Sequence, residues 1–181
     1  MDGRYGAMNQ KLIEAQEEYK NGYYNDKLQE GLEFQDIVTK ELYQRGIVIV
    51  GYSSRKHQNE DGENMLGAEI KRDGKFRDTG NLYIEVSEKS HPDKPNYTPS
   101  GIHRKDNSWL FVIGDENTIY IFSTKYLLIL EDRYKHVNKP TSNGFLMPID
   151  DAEKYCIRKI ELTQTDGQEA HIKGSPVERL L

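Results

Sequence analysis

The residues of this sequence best suited to chemistry lie between positions 62 and 89, where acids and lysines alternate with apolar residues. Glu69-Ile70-Lys71 is the most specific triplet, because residues i and i+2 of a strand point to the same face. Glu69 and Lys71 would then stand side by side while Ile70 faces the core. With Glu85 in the next stretch, they form the set of carboxylates and amine that Mg²⁺-assisted phosphodiester hydrolysis requires. The same charges would also fit an ion-paired surface hairpin, whose exposed pairs add little stability.

The overall charge of the chain argues against a general nucleic-acid coat protein, which would be basic. In 181 residues, 30 acids and 25 bases give a net charge of −5. Binding of nucleic acid would therefore depend on local basic patches, whereas crowded acids suit a divalent cation. The single cysteine, Cys156, excludes an intrachain disulfide and a cysteine zinc site. No apolar run is long enough for a membrane span or a signal core, so we expect a cytoplasmic protein without a membrane partner.

The elements that must position these residues follow from hydrophobic periodicity. The apolar spacing over residues 31–45 predicts the main helix, and the β-branched run at 47–52 predicts a buried strand. A short helix capped by Ser123 is expected next to a hairpin. The last elements are the end of a strand, a helical turn capped at Asp150 or Asp151, and a final strand or helix. Further strands are expected at 66–73 and 82–88, and at 108–114 and 118–123, which form the hairpin.

These patterns predict an α/β or α+β domain with a mixed sheet flanked by helices. They divide the chain into an N-terminal helical arm (1–30), a core domain (31–162) and a polar C-terminal tail (163–181). No composition shift indicates a second domain, and no internal repeat is visible.

The order of motifs along the chain resembles that of the PD-(D/E)xK nucleases. These motifs are the helix with its acids, the run "IVIV", the E-x-K triplet, "TGNLYIE" and "SGI". These nucleases form the restriction-endonuclease-like superfamily, and the resemblance covers residues 31–123. Within the superfamily, the motifs most resemble those of a phage-type branch of uncharacterised proteins. It implies a restriction-endonuclease-like fold and an endonuclease that hydrolyses DNA phosphodiester bonds with Mg²⁺ or Mn²⁺. It also implies duplex or branched DNA as the partner, a possible homodimer, and a protein encoded by a phage or its bacterial host.

The resemblance carries over to particular residues. Glu69 and Lys71 match the acid and the lysine of the central strand, and Glu33 lies where the family has a helical acid. Glu41 is the alternative helical acid. The family's first acid has no clear counterpart here, and Glu63, with Asp61 beside it, is the nearest candidate.

A second register of the motif stays open. Glu69 would then be the first acid and Glu85 the second, with Ser87 where the family has its lysine. Lys71 would reach in from the neighbouring strand. Both registers keep Glu69, Lys71 and Glu85 close together, so these three are the predicted catalytic residues. The expected metal ligands are Glu69, Glu85, Glu63 and Glu33.

Polar residues around these acids are candidates for contacts with the nucleic-acid backbone. Gly80 is expected to take a positive φ in a tight turn, whose backbone N–H groups could face a phosphate. Trp109 is expected in the core, with stacking on a base as the alternative. The predicted nucleic-acid-binding residues are Arg72, Lys75, Arg77, Asn81, Ser100, His103, Arg104 and Lys105.

Two other functions remain open at this point. A degenerate member of the fold could bind nucleic acid or protein without cutting, which would fit the irregular first acid and Ser87. An unrelated acidic phage protein could instead inhibit a host nucleic-acid-binding enzyme, because an acidic surface can mimic the charge of DNA.

Overall fold

The computed structural model describes residues 25–162 and Gly22 as an α+β fold with two four-stranded sheets. Most of the predicted arm (1–30) and all of the predicted tail (163–181) lie outside the described residues. Helix α1 covers 25–43 in its described part. The other helices are α2 (Arg55–Glu60), α3 (Phe76–Thr79), α4 (Thr124–Leu130) and α5 (Ile149–Tyr155). The strands are β1 (Ala68–Arg72), β2 (Asn81–Glu88), β3 (Thr98–Pro99), β4 (Leu110–Gly114), β5 (Thr118–Ser123), β6 (Lys135–Asn138), β7 (Ser142–Pro148) and β8 (Arg158–Glu161).

The strand order separates the two halves of the acidic stretch. The first sheet runs β1-β4-β5-β8, with β1 parallel to β4 and the other pairs antiparallel. The second sheet runs β3-β2-β7-β6 and is antiparallel throughout. β1 and β2 therefore belong to different sheets, so the acidic stretch is not a hairpin. The link between them contains α3, and the residue that caps its C-terminus is Gly80. The φ of Gly80 is 69°, so the predicted positive φ is confirmed.

The core has three layers, with the first sheet in the middle. The predicted main helix is confirmed by α1, whose Phe34, Val38 and Leu42 are buried against Ala68 and Ile70 of β1. The second sheet packs on the opposite face of the first, together with α4 and α5. Strand β4 is buried on both faces, which explains its unbroken apolar run. Within residues 25–162, no helix is long and apolar enough to cross a membrane.

Two expectations about burial are wrong. Residues 47–52 do not form a buried strand, because their β pairing is limited to one isolated bridge between Gly51 and Asn64, and Val48 and Val50 are exposed. β-branched composition favours extended backbone, but a strand also needs a partner. Trp109 is not in the core but 57% exposed. Its apolar neighbours enter the sheet only at Leu110, one residue later.

The C-terminal elements follow the prediction with small shifts. The β4–β5 hairpin is confirmed, and α4 begins directly after Ser123, whose side chain makes no capping hydrogen bond. Helix α5 begins at Ile149 after Pro148, so Asp150 and Asp151 lie in its first turn and do not cap it. Acids in the first turn are still favourable, because they face the positive end of the helix dipole.

Asp115 links the β4–β5 turn to α3. Its carboxylate accepts hydrogen bonds from the backbone N–H groups of Asn117 (2.9 Å) and Thr118 (2.8 Å) and from Arg77 Nε (2.6 Å). Burial by itself raises the pKa of this carboxyl, but the donors outweigh burial and hold the pKa below its ordinary value. The charged carboxylate therefore stabilises the fold.

We expect Asp115→Asn to lower the free energy of unfolding by about 1–3 kcal/mol at pH 7. Because the folded-state pKa is depressed, the stabilisation is present above the unfolded value of about 3.9 and is lost as the pH falls through the folded value. Urea denaturation of wild type and variant at pH 7 and pH 3 measures the difference in the free energy of unfolding and its dependence on pH. A difference of the same size at the two pH values would contradict the assignment.

Candidate active site

Strand β1 places Glu69 and Lys71 on the sheet face opposite to α1. Ala68 and Ile70 point toward α1, so the alternation of the strand turns the acid and the amine the other way. Glu69 is 1% exposed, and Lys71 Nζ lies 2.9 Å from its Oε1. The side-by-side placement expected from the E-x-K spacing is therefore observed, but in a buried position instead of on a solvated surface.

Glu85 comes to the same place from the second sheet. Its Oε1 lies 3.7 Å from Lys71 Nζ and accepts a hydrogen bond from Ser100 Oγ at 2.7 Å. The β2–β7 pairing shifts register between Glu85 and Ser87, and such bulges re-aim side chains. The Lys71 ammonium thus bridges two carboxylates that come from two different sheets.

Gly101 permits the contact between Ser100 and Glu85. Its φ is +51°, and a Cβ at this position would lie 2.2 Å from the backbone oxygen of Glu85. Only glycine allows the loop to come so close to β2. The Ser100 N–H donates to the Val86 carbonyl at 3.1 Å, which fixes the serine hydroxyl beside the carboxylate.

Arg104 forms a second cationic centre behind the cluster. Its Nη1 lies 3.4 Å from both Glu63 Oε1 and Glu69 Oε2, and its Nε lies 2.8 Å from Asp106 Oδ2. Its Nη2 donates to the Gln58 carbonyl at 2.5 Å. Arg104 is a predicted nucleic-acid contact, and in the structure its guanidinium contacts the carboxylates of Glu69 and Glu63.

Burial controls the protonation of the cluster. Burial, reinforced by the Glu69 carboxylate, raises the pKa of Glu63 to about 7. Burial likewise raises the pKa of Glu85. Burial alone lowers the pKa of Lys71, but the carboxylates of Glu69 and Glu85 outweigh it and raise that pKa above its ordinary value. The carboxylates of Glu69 and Glu85 thus hold Lys71 as a charged ammonium at neutral pH.

The predicted helical acids lie apart from this cluster. Glu33 is exposed on α1 and accepts a hydrogen bond from Gln29 at 3.0 Å. Glu41 forms an ion pair with Arg45, just after the end of α1. The α1 carboxylate that shares a cavity with Glu63 is Asp36, and this cavity has a volume of about 140 Å³. Asp36 carried no signal in the sequence, because helical periodicity does not show which polar face meets the next element.

The ability of these residues to hold a metal rests on two carboxylates. Among the described residues, no three His, Cys, Asp or Glu side chains converge closely enough to hold an ion. Mg²⁺, however, is often held by one or two carboxylates together with water and substrate phosphate. Apart from the Lys71 ammonium, Glu69 Oε1 is buried without an aligned donor. Glu69 and Glu85 share one cation in this structure, the Lys71 ammonium.

Most of the other predicted nucleic-acid-binding side chains form hydrogen bonds or ion pairs with other residues of the protein. Asn81 donates to the Thr79 carbonyl at 2.7 Å, and Lys105 is exposed. Lys75 is the remaining predicted cation, and it lines a groove described below. Three predicted cations pair with carboxylates: Arg72 with Glu30 and Glu116, Arg77 with Asp115, and His103 with Glu131.

A charged groove begins beside the cluster. Lys71 and Glu85 line a small cavity of about 130 Å³, which shares Tyr83 and Lys139 with a groove of about 680 Å³. Lys75 and Lys139 line this groove, and no described carboxylate forms an ion pair with either ammonium. Lys139 Nζ lies 3.2 Å from the centre of the Tyr83 ring, and burial lowers its pKa. We call this the lysine groove.

The site as a whole is a buried acid–lysine–acid cluster between two sheets, with the lysine groove beside it. Glu69, Lys71 and Glu85 were predicted as site residues from the sequence. Ser100 and Arg104 were predicted too, but as contacts with nucleic acid. Lys139 carried no signal, because it lies on the β6–β7 turn, far along the chain from the acids. No family model, curated protein or solved structure matches this chain.

Proposed function

We propose that this chain is a metal-dependent nuclease with a restriction-endonuclease-like core, which hydrolyses DNA phosphodiester bonds. The observation that carries the proposal is the charged Lys71 between two acids, 2.9 Å from Glu69 and 3.7 Å from Glu85. A purely structural ion pair needs no second carboxylate, and removing most of one from solvent is unfavourable. Strongly perturbed titratable groups of this kind cluster at functional sites.

The chain's own groups have separate roles in this proposal. Glu69 and Glu85 hold Mg²⁺ or Mn²⁺, which supplies Lewis-acid stabilisation and water activation when bound. Lys71 donates hydrogen bonds to the attacking water and offsets negative charge that develops on the phosphate. Ser100 holds Glu85 in place, and Arg104 holds Glu69 from its other oxygen.

The lysine groove is the proposed contact for the phosphate backbone of DNA. Each neutralised phosphate contributes about 0.7 (single strand) to 0.9 (duplex) to the dependence of log K on log salt. We expect the double variant Lys75→Ala/Lys139→Ala to lower this slope by about 1.4–1.8, which DNA-binding titrations in EDTA at several salt concentrations measure. Lys40→Ala, on the exposed face of α1, is the matched control. An unchanged slope in the double variant would remove the groove from the DNA contact.

A second candidate function is nucleic-acid binding without cutting. Both oxygens of Glu69 already face cations, Lys71 at 2.9 Å and Arg104 at 3.4 Å. The carboxylate is therefore compensated without a metal. This candidate predicts DNA binding that neither Mg²⁺ nor EDTA changes.

The deciding experiment compares duplex, single-stranded and branched DNA in Mg²⁺, Mn²⁺ and EDTA. Metal-dependent cutting should occur in the wild type and be lost in Glu69→Gln. Glu153→Gln, which alters a surface acid on α5 that pairs with Lys159, should cut like the wild type. Binding without cutting would favour the second candidate, and neither binding nor cutting would exclude both. Size-exclusion chromatography with and without DNA tests whether two copies pair to cut two strands.

A further inference from the structure

A second pocket lies on the other side of Arg104 and has no role in the proposed hydrolysis. Its volume is about 430 Å³. Arg104 lines it and also contacts Glu69, so the pocket adjoins the acid cluster. Besides Arg104, its walls combine an aromatic ring, two aliphatic side chains, three hydroxyl-bearing residues and a second cation. These are Trp109, Ile102, Leu128, Ser108, Ser123, Thr124 and Lys125.

Trp109 forms a fixed, exposed aromatic surface in this pocket. Although 57% of the residue is exposed, its indole Nε1 donates to the Leu66 carbonyl at 2.6 Å. Its backbone N–H donates to the Gly67 carbonyl at 3.0 Å. A Cβ on Gly67 would lie 2.7 Å from the indole Cδ1, so the ring edge packs directly on the glycine backbone. The ring is held at its edge while one large apolar surface faces solvent.

Lys125 adds a cation to the wall of this pocket. The Thr124 N–H donates to the Trp109 carbonyl at 3.0 Å, which ties the start of α4 to the residue that carries the aromatic surface. The hydroxyl oxygens of Ser108 and Thr124 are buried, so the exposed wall of the pocket is the tryptophan ring and not these hydroxyls.

An aromatic surface beside a cation is suited to a nucleotide. A nucleobase has a π face that can stack on the indole. Lys125 at the pocket wall favours the phosphate attached to such a base.

We infer that this pocket holds one unstacked nucleobase of the substrate strand, with its face on Trp109. The identity of the strand as DNA rests on the proposed function. A base inside an intact duplex cannot reach such a pocket, since it is stacked and paired. The substrate class is therefore DNA with an unpaired base beside the scissile phosphate, as in single strands, branches or flipped bases.

Trp109 is the single tryptophan of the chain, so its fluorescence reports on the pocket directly. The Glu69→Gln protein in EDTA is titrated with a single-stranded oligonucleotide, and separately with the same oligonucleotide made of abasic sites. The normal oligonucleotide should quench the emission, and the abasic one should leave it nearly unchanged. Equal quenching by both, or no quenching by either, would overturn the inference.

Affinity measurements test the stacking on Trp109 independently of fluorescence. Trp109→Ala should weaken binding of a labelled oligonucleotide by about 5- to 100-fold, while Trp109→Phe keeps part of the affinity. Binding by Trp109→Ala equal to that of wild type would overturn the inference.

These outcomes are independent of cleavage. Base-dependent quenching in a protein that never cuts DNA would support the pocket while the proposed nuclease activity fails. Metal-dependent cutting with quenching that does not depend on bases would support the nuclease while the pocket fails.

Discussion

Lys71→Met should lower DNA cleavage by about 10²–10³-fold while it tightens the binding of Mn²⁺. The two effects have opposite signs because the ammonium has two roles. In the proposed reaction it stabilises charge, but it also lies between Glu69 and Glu85, where a divalent ion would have to compete with it. Kinetics at saturating metal and calorimetric titration of Mn²⁺ measure the two effects separately. Weaker or unchanged metal affinity in the variant would mean that the metal and Lys71 do not share these carboxylates.

The same substitution should also couple stability to metal. In EDTA, the loss of the ammonium leaves buried Glu69 with Arg104 as its remaining cation, and the free energy of unfolding should fall by about 2–4 kcal/mol. Mn²⁺ at 100 times its dissociation constant should restore about 2.7 kcal/mol. Lys159→Met is the matched control, because Lys159 also lies between two glutamates, at 2.6 Å from Glu153 and from Glu161, but these two carboxylates are exposed. It should change stability by less than about 1 kcal/mol and leave cleavage intact.

Glu69→Gln and Glu85→Gln should differ in how they respond to metal concentration. Glu69 is buried between Lys71 and Arg104, so its loss should reduce cleavage by roughly 10³-fold or more at every Mg²⁺ concentration. The Glu85 side chain is 17% exposed and reaches Lys71 at 3.7 Å, so water can replace part of its role. Its loss should raise the Mg²⁺ concentration needed for half-maximal rate, with substantial recovery at high Mg²⁺.

Rates measured across a range of Mg²⁺ concentrations distinguish these responses. Recovery of Glu69→Gln at high metal would contradict the central position of this carboxylate. Circular dichroism of both variants shows whether a lost rate reflects the site or the fold, because Gln keeps the shape of Glu but removes its charge.

Local patterns in the sequence determined the elements that carry the site. The periodicity of Phe34, Val38 and Leu42 reports one buried helix face, and α1 follows it. The alternation around Glu69 places the acid and Lys71 on one face of β1, whatever the strand packs against. The short loop after β4 likewise predicts an antiparallel hairpin, since it allows no other return. Each of these results depends on neighbouring residues alone.

The tertiary structure decided which of these faces meet. Residues 47–52 have the composition of a strand but pair only at one isolated bridge, and Trp109 precedes the sheet by one residue and stays exposed. The meeting of Glu85 with Lys71 depends on a bulge in β2 and on the packing of two sheets. The contact of Arg104 with Glu69 depends on the course of a loop. Such contacts join residues far apart in the chain, so their free energy depends on register and packing across the fold, which local periodicity does not encode.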